Sequence, residues 1–321
     1  MRRTLTSWLV VFALLAAGFG ATVLALNNDV FSAHGFVRSY LQALARQNSA
    51  EALAFAGVEV PEGASTTLLT DAALGEVRDI RFIGEVTDRA VTTVRFEYRL
   101  SMGKLSTEKQ QTEFQVERDG SHLGLFHGWR FAESPMAVLA VTVDNDSRFS
   151  ANGVDSLTGA PEAVLVPGGY LLDSDTEFLT AVQAEVSAVE TGGTVDARLE
   201  VTPTPAFADA AETAIATFLD ACATQEVLMP TGCPFGFVEA NRVVGIPKWS
   251  MSDYPRATLA AGEQPGTWVA TGEGGEVALQ LTVKSLFDGS TSEVEQSVPI
   301  RGSYTLTLGT DNSVTVLEGR S

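Results

Sequence analysis

Histidine, lysine and cysteine are scarce in this chain, and each scarcity excludes something. The three histidines are His34, His122 and His127, and none stands at a Cys/His zinc-ligand spacing. His122 and His127 are five residues apart, which puts them on opposite faces of one strand and away from a common ion. No metal and no cofactor is expected. Serines are plentiful, but there is no G-x-S-x-G elbow, no H-E-x-x-H helix and no S-x-x-K set with its partners. Gly168-Gly169 and Gly274-Gly275 are followed by no helix start, so they read as turns, not phosphate cradles. Asp144-Asn145-Asp146 lacks the EF-hand order and reads as a turn too. No catalytic residue is assigned.

Basic charge is thin as well. Seventeen Arg and 4 Lys face 40 Asp plus Glu, and the formal net charge is -19. Beyond residue 29 the balance is 19 basic against 39 acidic residues, spread along the chain with no basic patch. Such a surface repels nucleic acid, which is excluded as a partner, and repels the anionic lipid headgroups beneath it. The two cysteines, Cys222 and Cys233, have ten residues between them. In an exported domain an even, closely spaced pair favours a disulfide that closes a short loop.

Export is implied by the feature the chain does have in quantity. From Thr4 to Asn28 no residue is charged, and Trp8 to Leu26 is apolar apart from Gly18, Gly20 and Thr22. That is long enough for a helix to cross a bilayer, so residues 5–26 are expected to be membrane-embedded. Arg2 and Arg3 before the run put the N-terminus in the cytoplasm and the bulk of the chain outside. A cleaved signal peptide shares the basic start, but its apolar region is shorter, and Val23 with Ala25 match an A-x-A site poorly. An uncleaved signal anchor is the expectation.

After the anchor, Phe36, Val37, Tyr40, Leu41 and Leu44 recur at helical spacing and predict an amphipathic helix over Phe31 to Arg46. Asn48 with Glu51 has the form of a capping box opening a second, short helix. Strands are then predicted at Ile80–Val86, Ala90–Met102, Glu108–Arg118 and Leu123–Phe131, with turns at Asp88-Arg89, Met102-Gly103-Lys104 and Asp119-Gly120. Short strands and turns fill 134–205, where Ala181–Val189 and Thr194–Val201 flank Gly192-Gly193 as a hairpin. Thr202-Pro203-Thr204-Pro205 ends this stretch as a stiff connector. A helix over Ala206–Gln225, with a stripe of Phe207, Ala210, Ala214, Phe218, Leu219 and Cys222, then precedes further strands, among them Glu293–Leu308. Helix first and long antiparallel strands after is the order of the first domain again, which suggests a duplication.

That order, with the pieces FVRSYLQALARQNSAEALAFAG and VTTVRFEYRL…TEFQVERDG…LFHGWRF, resembles the NTF2-like (cystatin-like cone) domains of Gram-positive single-pass envelope proteins. The overall plan is similar to membrane proteins of the teicoplanin-resistance-associated type. The resemblance implies an α+β chain: an anchor over 1–29, an NTF2-like domain over 30–133, a small β-sandwich over 134–205 and a second NTF2-like domain over 206–321. It also implies a pocket between helices and sheet, which Tyr40, Tyr98 and Trp129 would line if they are not plain core. Trp249 and Tyr254, with Met251 between them, form either a surface aromatic patch or core. The expected function is non-enzymatic binding or scaffolding at the bacterial cell membrane, with an envelope protein or cell-wall component as partner. A hydrolase or isomerase using such a pocket, and a sensor or accessory subunit of a cell-wall complex, are the alternatives.

Overall fold

The computed structural model describes residues 2–102, 105–106, 108–122, 125–264 and 266–320, with the backbone alone for 2–11, 13, 105–106, 122 and 318–320. The chain forms two compact units. The first comprises Met1–Thr142, Phe149–Asp173 and Gln183–Leu199; the second comprises Val143–Arg148, Ser174–Val182 and Glu200–Ser321.

The first unit begins with α1 (Arg2–Asn28), in which the one polar side chain of the apolar run, Thr22, returns its hydroxyl to the Gly18 carbonyl at 2.9 Å. α2 (Ala33–Ala45) starts where Ser32 accepts a hydrogen bond from the Gly35 amide, and it buries Val37, Tyr40, Leu41 and Leu44. Gly35 is required by a close approach, because a Cβ there would lie 2.2 Å from the Asp29 carbonyl. α3 (Ser49–Leu53) is capped by Asn48, which accepts from the Glu51 amide and donates to the Glu51 carboxylate, each at 3.0 Å. These helices precede β1 (Glu76–Asp88), β2 (Val91–Met102), β3 (Leu105–Ser106), β4 (Gln110–His122) and β5 (Phe126–Phe131), an antiparallel sheet of order β1-β2-β4-β5 with β3 beside β2. Val94, Phe96, Tyr98 and Leu100 alternate into the core from β2 and meet α2.

Along 134–205 the strands are β6 (Met136–Val143), β7 (Arg148–Ala151), β8 (Val154–Leu157), β9 (Glu162–Leu165), β10 (Gly168–Asp173), β11 (Leu179–Ala181), β12 (Ala184–Ala188), β13 (Thr194–Leu199) and β14 (Val201–Pro203). They pair as β12-β10-β7-β8, β13-β6-β9 and β11-β14. In the second unit α4 (Pro205–Ala223) opens at Thr204, whose hydroxyl oxygen accepts from the Phe207 amide at 3.3 Å. It is followed by β15 (Arg242–Asp253), β16 (Arg256–Ala261), β17 (Thr267–Glu273), β18 (Glu276–Lys284), β19 (Thr291–Pro299), β20 (Gly302–Leu308) and β21 (Val314–Arg320). These make two sheets, β15-β18-β19 and β16-β17-β20-β21, around a core of Phe207, Ile215, Leu219, Trp268 and Tyr304.

This architecture corrects the expected α+β plan of an anchor, two cones and a sandwich. The described chain is mostly strand in six separate sheets, with four α-helices of which α3 is a single turn. Neither unit is a clear NTF2-like cone. In the second unit the predicted strand Glu293–Leu308 breaks after Pro299, and its halves join different sheets. Proline's missing N–H ends the ladder there. The predicted hairpin around Gly192-Gly193 does not form either, since β12 pairs with β10 and β13 with β6. The strands expected to close as one sandwich are thus shared between sheets and between units. Among the described residues no single helix is long and apolar enough to cross a membrane; only the bent pair Leu14–Asn28 with Ala33–Ala45, at 59°, meets that condition. The predicted Gly103-Lys104 turn and the His122 side chain lie outside the described residues.

Candidate functional site

Tyr40 and Tyr98 are fully buried in the core of the first unit. The Tyr40 hydroxyl donates to the Val166 carbonyl at 2.8 Å, and complete burial raises its pKa well above the ordinary tyrosine value. The Tyr98 hydroxyl meets Thr112 Oγ1 at 2.5 Å, and burial pushes its pKa up to about 12. Trp129 is half-buried; its indole N–H donates to the Phe31 carbonyl at 2.8 Å and the Arg118 guanidinium lies 5.1 Å from its ring centre. In the second unit Trp249 is buried, stacks obliquely on Phe235 and donates to the Val227 carbonyl at 2.7 Å. Tyr254 is partly exposed, and its hydroxyl donates to the Asp220 carboxylate at 2.6 Å. Trp249 therefore belongs to the core and Tyr254 to the surface.

Cys222 and Cys233 are joined in a disulfide. Cys222 ends the buried stripe of α4, which is Phe207, Ala211, Ile215, Leu219 and Cys222. The bond thereby fastens the loop after α4 to its last turn. Ala210, Ala214 and Phe218, predicted in that stripe, line an open groove against β21 instead.

The first unit carries a polar cleft that the sequence did not single out. It has a volume of about 460 Å³ and is walled by Gln47 after α2, Gly75 and Glu76 at the start of β1, Asn152 in the β7–β8 turn, and Asp173 on β10. Asn152 holds these pieces together. Its amide nitrogen donates to the Ala73 and Gly169 carbonyls, both at 2.8 Å, and its oxygen accepts from the Leu171 amide at 2.9 Å. Three of the four hydrogen bonds that its side-chain amide can make are thus engaged in shaping the wall. Gly75 lets the strands meet, because a Cβ there would sit 2.4 Å from the Gly169 carbonyl. Gln47 donates to the Leu74 carbonyl at 2.6 Å, and Gln183 donates to Asp173 Oδ2 at 2.9 Å.

The cleft is acceptor-rich. Glu76 and Asp173 bring carboxylates and Ser101 and Ser150 bring hydroxyls, while no Lys, Arg or His lines it among the described residues. A hydrogen bond from Arg78 holds the Glu76 carboxyl below the usual carboxylate range, so it is ionised at neutral pH. This arrangement can receive hydrogen-bond donors and positive charge. The sequence signal that points to it is the Asn152-Gly153 dipeptide, a turn pair whose first residue has φ of 50°. Among the described residues no group of three or more His, Cys, Asp or Glu is placed to hold a metal ion.

Compared with known protein families and with curated proteins, the chain matches no family model and no curated sequence.

Proposed function

We propose that the chain is a membrane-attached, extracytoplasmic binding or scaffolding protein of the bacterial cell envelope, and that the first-unit cleft receives a hydroxyl- or amine-bearing group of an envelope protein or wall polymer. The observation that carries this reading is α1. Phe12, Leu14, Leu15, Phe19 and Leu24 are 60 to 72% exposed, whereas Val23 and Leu26 are half-buried, and the exposed side chains need an apolar environment that water does not supply. Thr22 satisfies its hydroxyl within the helix, as an apolar medium requires. α2 is no part of that face, since its apolar residues are spent in the core. The disulfide suits an oxidising compartment outside the cytoplasm, and the donor-seeking, acidic cleft suits the polyhydroxylated and amine-bearing polymers found there.

Membrane flotation tests the attachment. The full chain is expected to float with phosphatidylcholine vesicles and a chain lacking residues 1–29 to stay with the soluble fraction; equal behaviour of the two would overturn it. Calorimetric titration with soluble wall muropeptides tests the cleft. Glu76→Gln together with Asp173→Asn is expected to weaken binding by about tenfold or more, from the loss of two charge-assisted acceptors. Binding unchanged by the pair of substitutions would exclude the cleft as the site.

A further inference from the structure

A second recess lies on the helix-facing side of the first sheet, at the end where α1 joins the unit. It has a volume of about 290 Å³ and is lined by Thr87, Arg89, Ala90, Thr92, Glu117, Arg118 and Trp129. Strand register places the side chains. Thr92, Val94 and Phe96 share the inward face of β2, Thr87 stands opposite Thr92, and Arg118 stands opposite Trp129. Glu117 alternates to the outer face, where it meets Arg130 at 3.7 Å. The acid on the inner face, Glu85, is engaged by His34 at 3.3 Å. Among the described residues no carboxylate lies within ion-pair distance of Arg89 or Arg118, whereas seven other arginines of the unit and its neighbour are paired.

Arg89 is the more telling of the two. It occupies the β1–β2 turn with φ of 56°, a left-handed conformation that favours glycine or asparagine and costs an arginine about 1 kcal/mol. A strained residue that sets an exposed cation on the wall of a recess, in a chain of net charge -19, points to a ligand more readily than to stability. Thr87 and Thr92 add hydroxyls, 3.0 Å apart, and Trp129 adds a flat face already bearing Arg118.

The recess is fixed beside the end of α1. The Asn27 side chain donates to the Leu125 carbonyl at 2.9 Å and accepts from the His127 amide at 3.0 Å. Phe31 stacks on Phe126 at 4.5 Å, and Trp129 reaches the Phe31 carbonyl. The geometry points to a site for a phosphate-bearing anion, held by Arg89, Arg118 and the threonine hydroxyls. This rests on the proposed membrane attachment only in its source: with α1 in a bilayer, the recess lies at headgroup depth, where tryptophan and arginine favour the interface, and the anion is a phospholipid phosphodiester.

The test uses the full chain in neutral detergent, titrated with dihexanoyl phosphatidylglycerol, dihexanoyl phosphatidylcholine and inorganic phosphate, and followed by calorimetry. The phosphatidylglycerol is expected to bind about tenfold more tightly than the phosphatidylcholine, and Arg118→Gln and Arg89→Gly each to remove most of that preference. Arg89→Gly also relieves the turn, so its loss of binding is expected alongside unchanged or raised thermal stability. Competition by inorganic phosphate supports the site with the free ion as its source; binding of the lipid without such competition supports it with the headgroup. Equal affinity for both lipids together with no phosphate binding, or wild-type binding by both variants, overturns the site. Failure of flotation on phosphatidylcholine vesicles overturns the membrane reading and leaves these titrations interpretable.

Discussion

The Tyr40 hydroxyl on α2 hydrogen-bonds the carbonyl of Val166, 126 residues further along the chain, at 2.8 Å. It also stands 3.1 Å from the Pro135 carbonyl, which has the Val166 amide as a second donor. Tyr40→Phe keeps the ring among Phe55, Phe114 and Phe131 and leaves the Val166 carbonyl without this donor. The expected cost is about 1 to 3 kcal/mol, seen as a lower urea midpoint at unchanged slope. A midpoint equal to that of the parent chain would show that the bond contributes nothing.

Alkaline titration reads the buried tyrosines of both units. Burial raises the pKa of Tyr40 and Tyr170, and pushes Tyr98 and Tyr304 up to about 12. In the unfolded chain these groups ionise near pH 10. The folded values are raised, so their stabilisation is complete below pH 10 and is lost as pH rises towards about 12. Phenolate absorbance just above pH 10 is expected to be clearly lower in the native than in the urea-unfolded protein, with unfolding following as the pH climbs. Coincident titration curves would contradict the burial.

Replacing Cys222 and Cys233 together by alanine opens the loop after α4. On the chain-entropy account the second unit loses about 2 to 3 kcal/mol. Reduction of the parent protein should give the same loss, with a mass increase of about 2 Da from the two hydrogens taken up.

Gly35→Ala tests the junction of α1 and α2. The new Cβ falls 2.2 Å from the Asp29 carbonyl, so the backbone between the helices must shift. A destabilisation of about 1 to 3 kcal/mol is expected, with faster amide hydrogen exchange around Phe31 and Phe36, whose amides bond Leu26 and Ser32. Exchange rates matching the parent would mean the junction is looser than this geometry.

Local features were legible in the residues. The stripe at Phe36, Tyr40 and Leu44 located α2, Asn48 with Glu51 located the cap of α3, and two closely spaced cysteines gave the disulfide. The consecutive antiparallel pairing of the first sheet was legible, but the strand pairing along 134–205 was not, because it is decided by contacts far apart in sequence. β13 finds β6 and β12 finds β10, although a two-glycine turn lies between β12 and β13. The cleft escaped for the same reason: Gln47, Glu76, Asn152 and Asp173 are remote in the chain and polar, so no periodicity links them. On α4 an i, i+4 stripe selected Ala211 and Ile215 where the sequence offered Ala210 and Ala214, and neighbouring alanines give hydropathy little to choose between.

The chain enters the second unit for Val143–Arg148 and Ser174–Val182 before it has finished the first, which closes only with Gln183–Leu199. During synthesis the strands that complete the first unit emerge well after its helices, so β1 to β5 must wait with one flank uncovered. A single proteolytic nick cannot separate the two units, and no fragment ending near residue 133 or 173 contains the whole of the first. Heritable change is constrained in the same way: a recombination breakpoint anywhere between 143 and 199 would take strands from both units, so the pair is expected to have been inherited together.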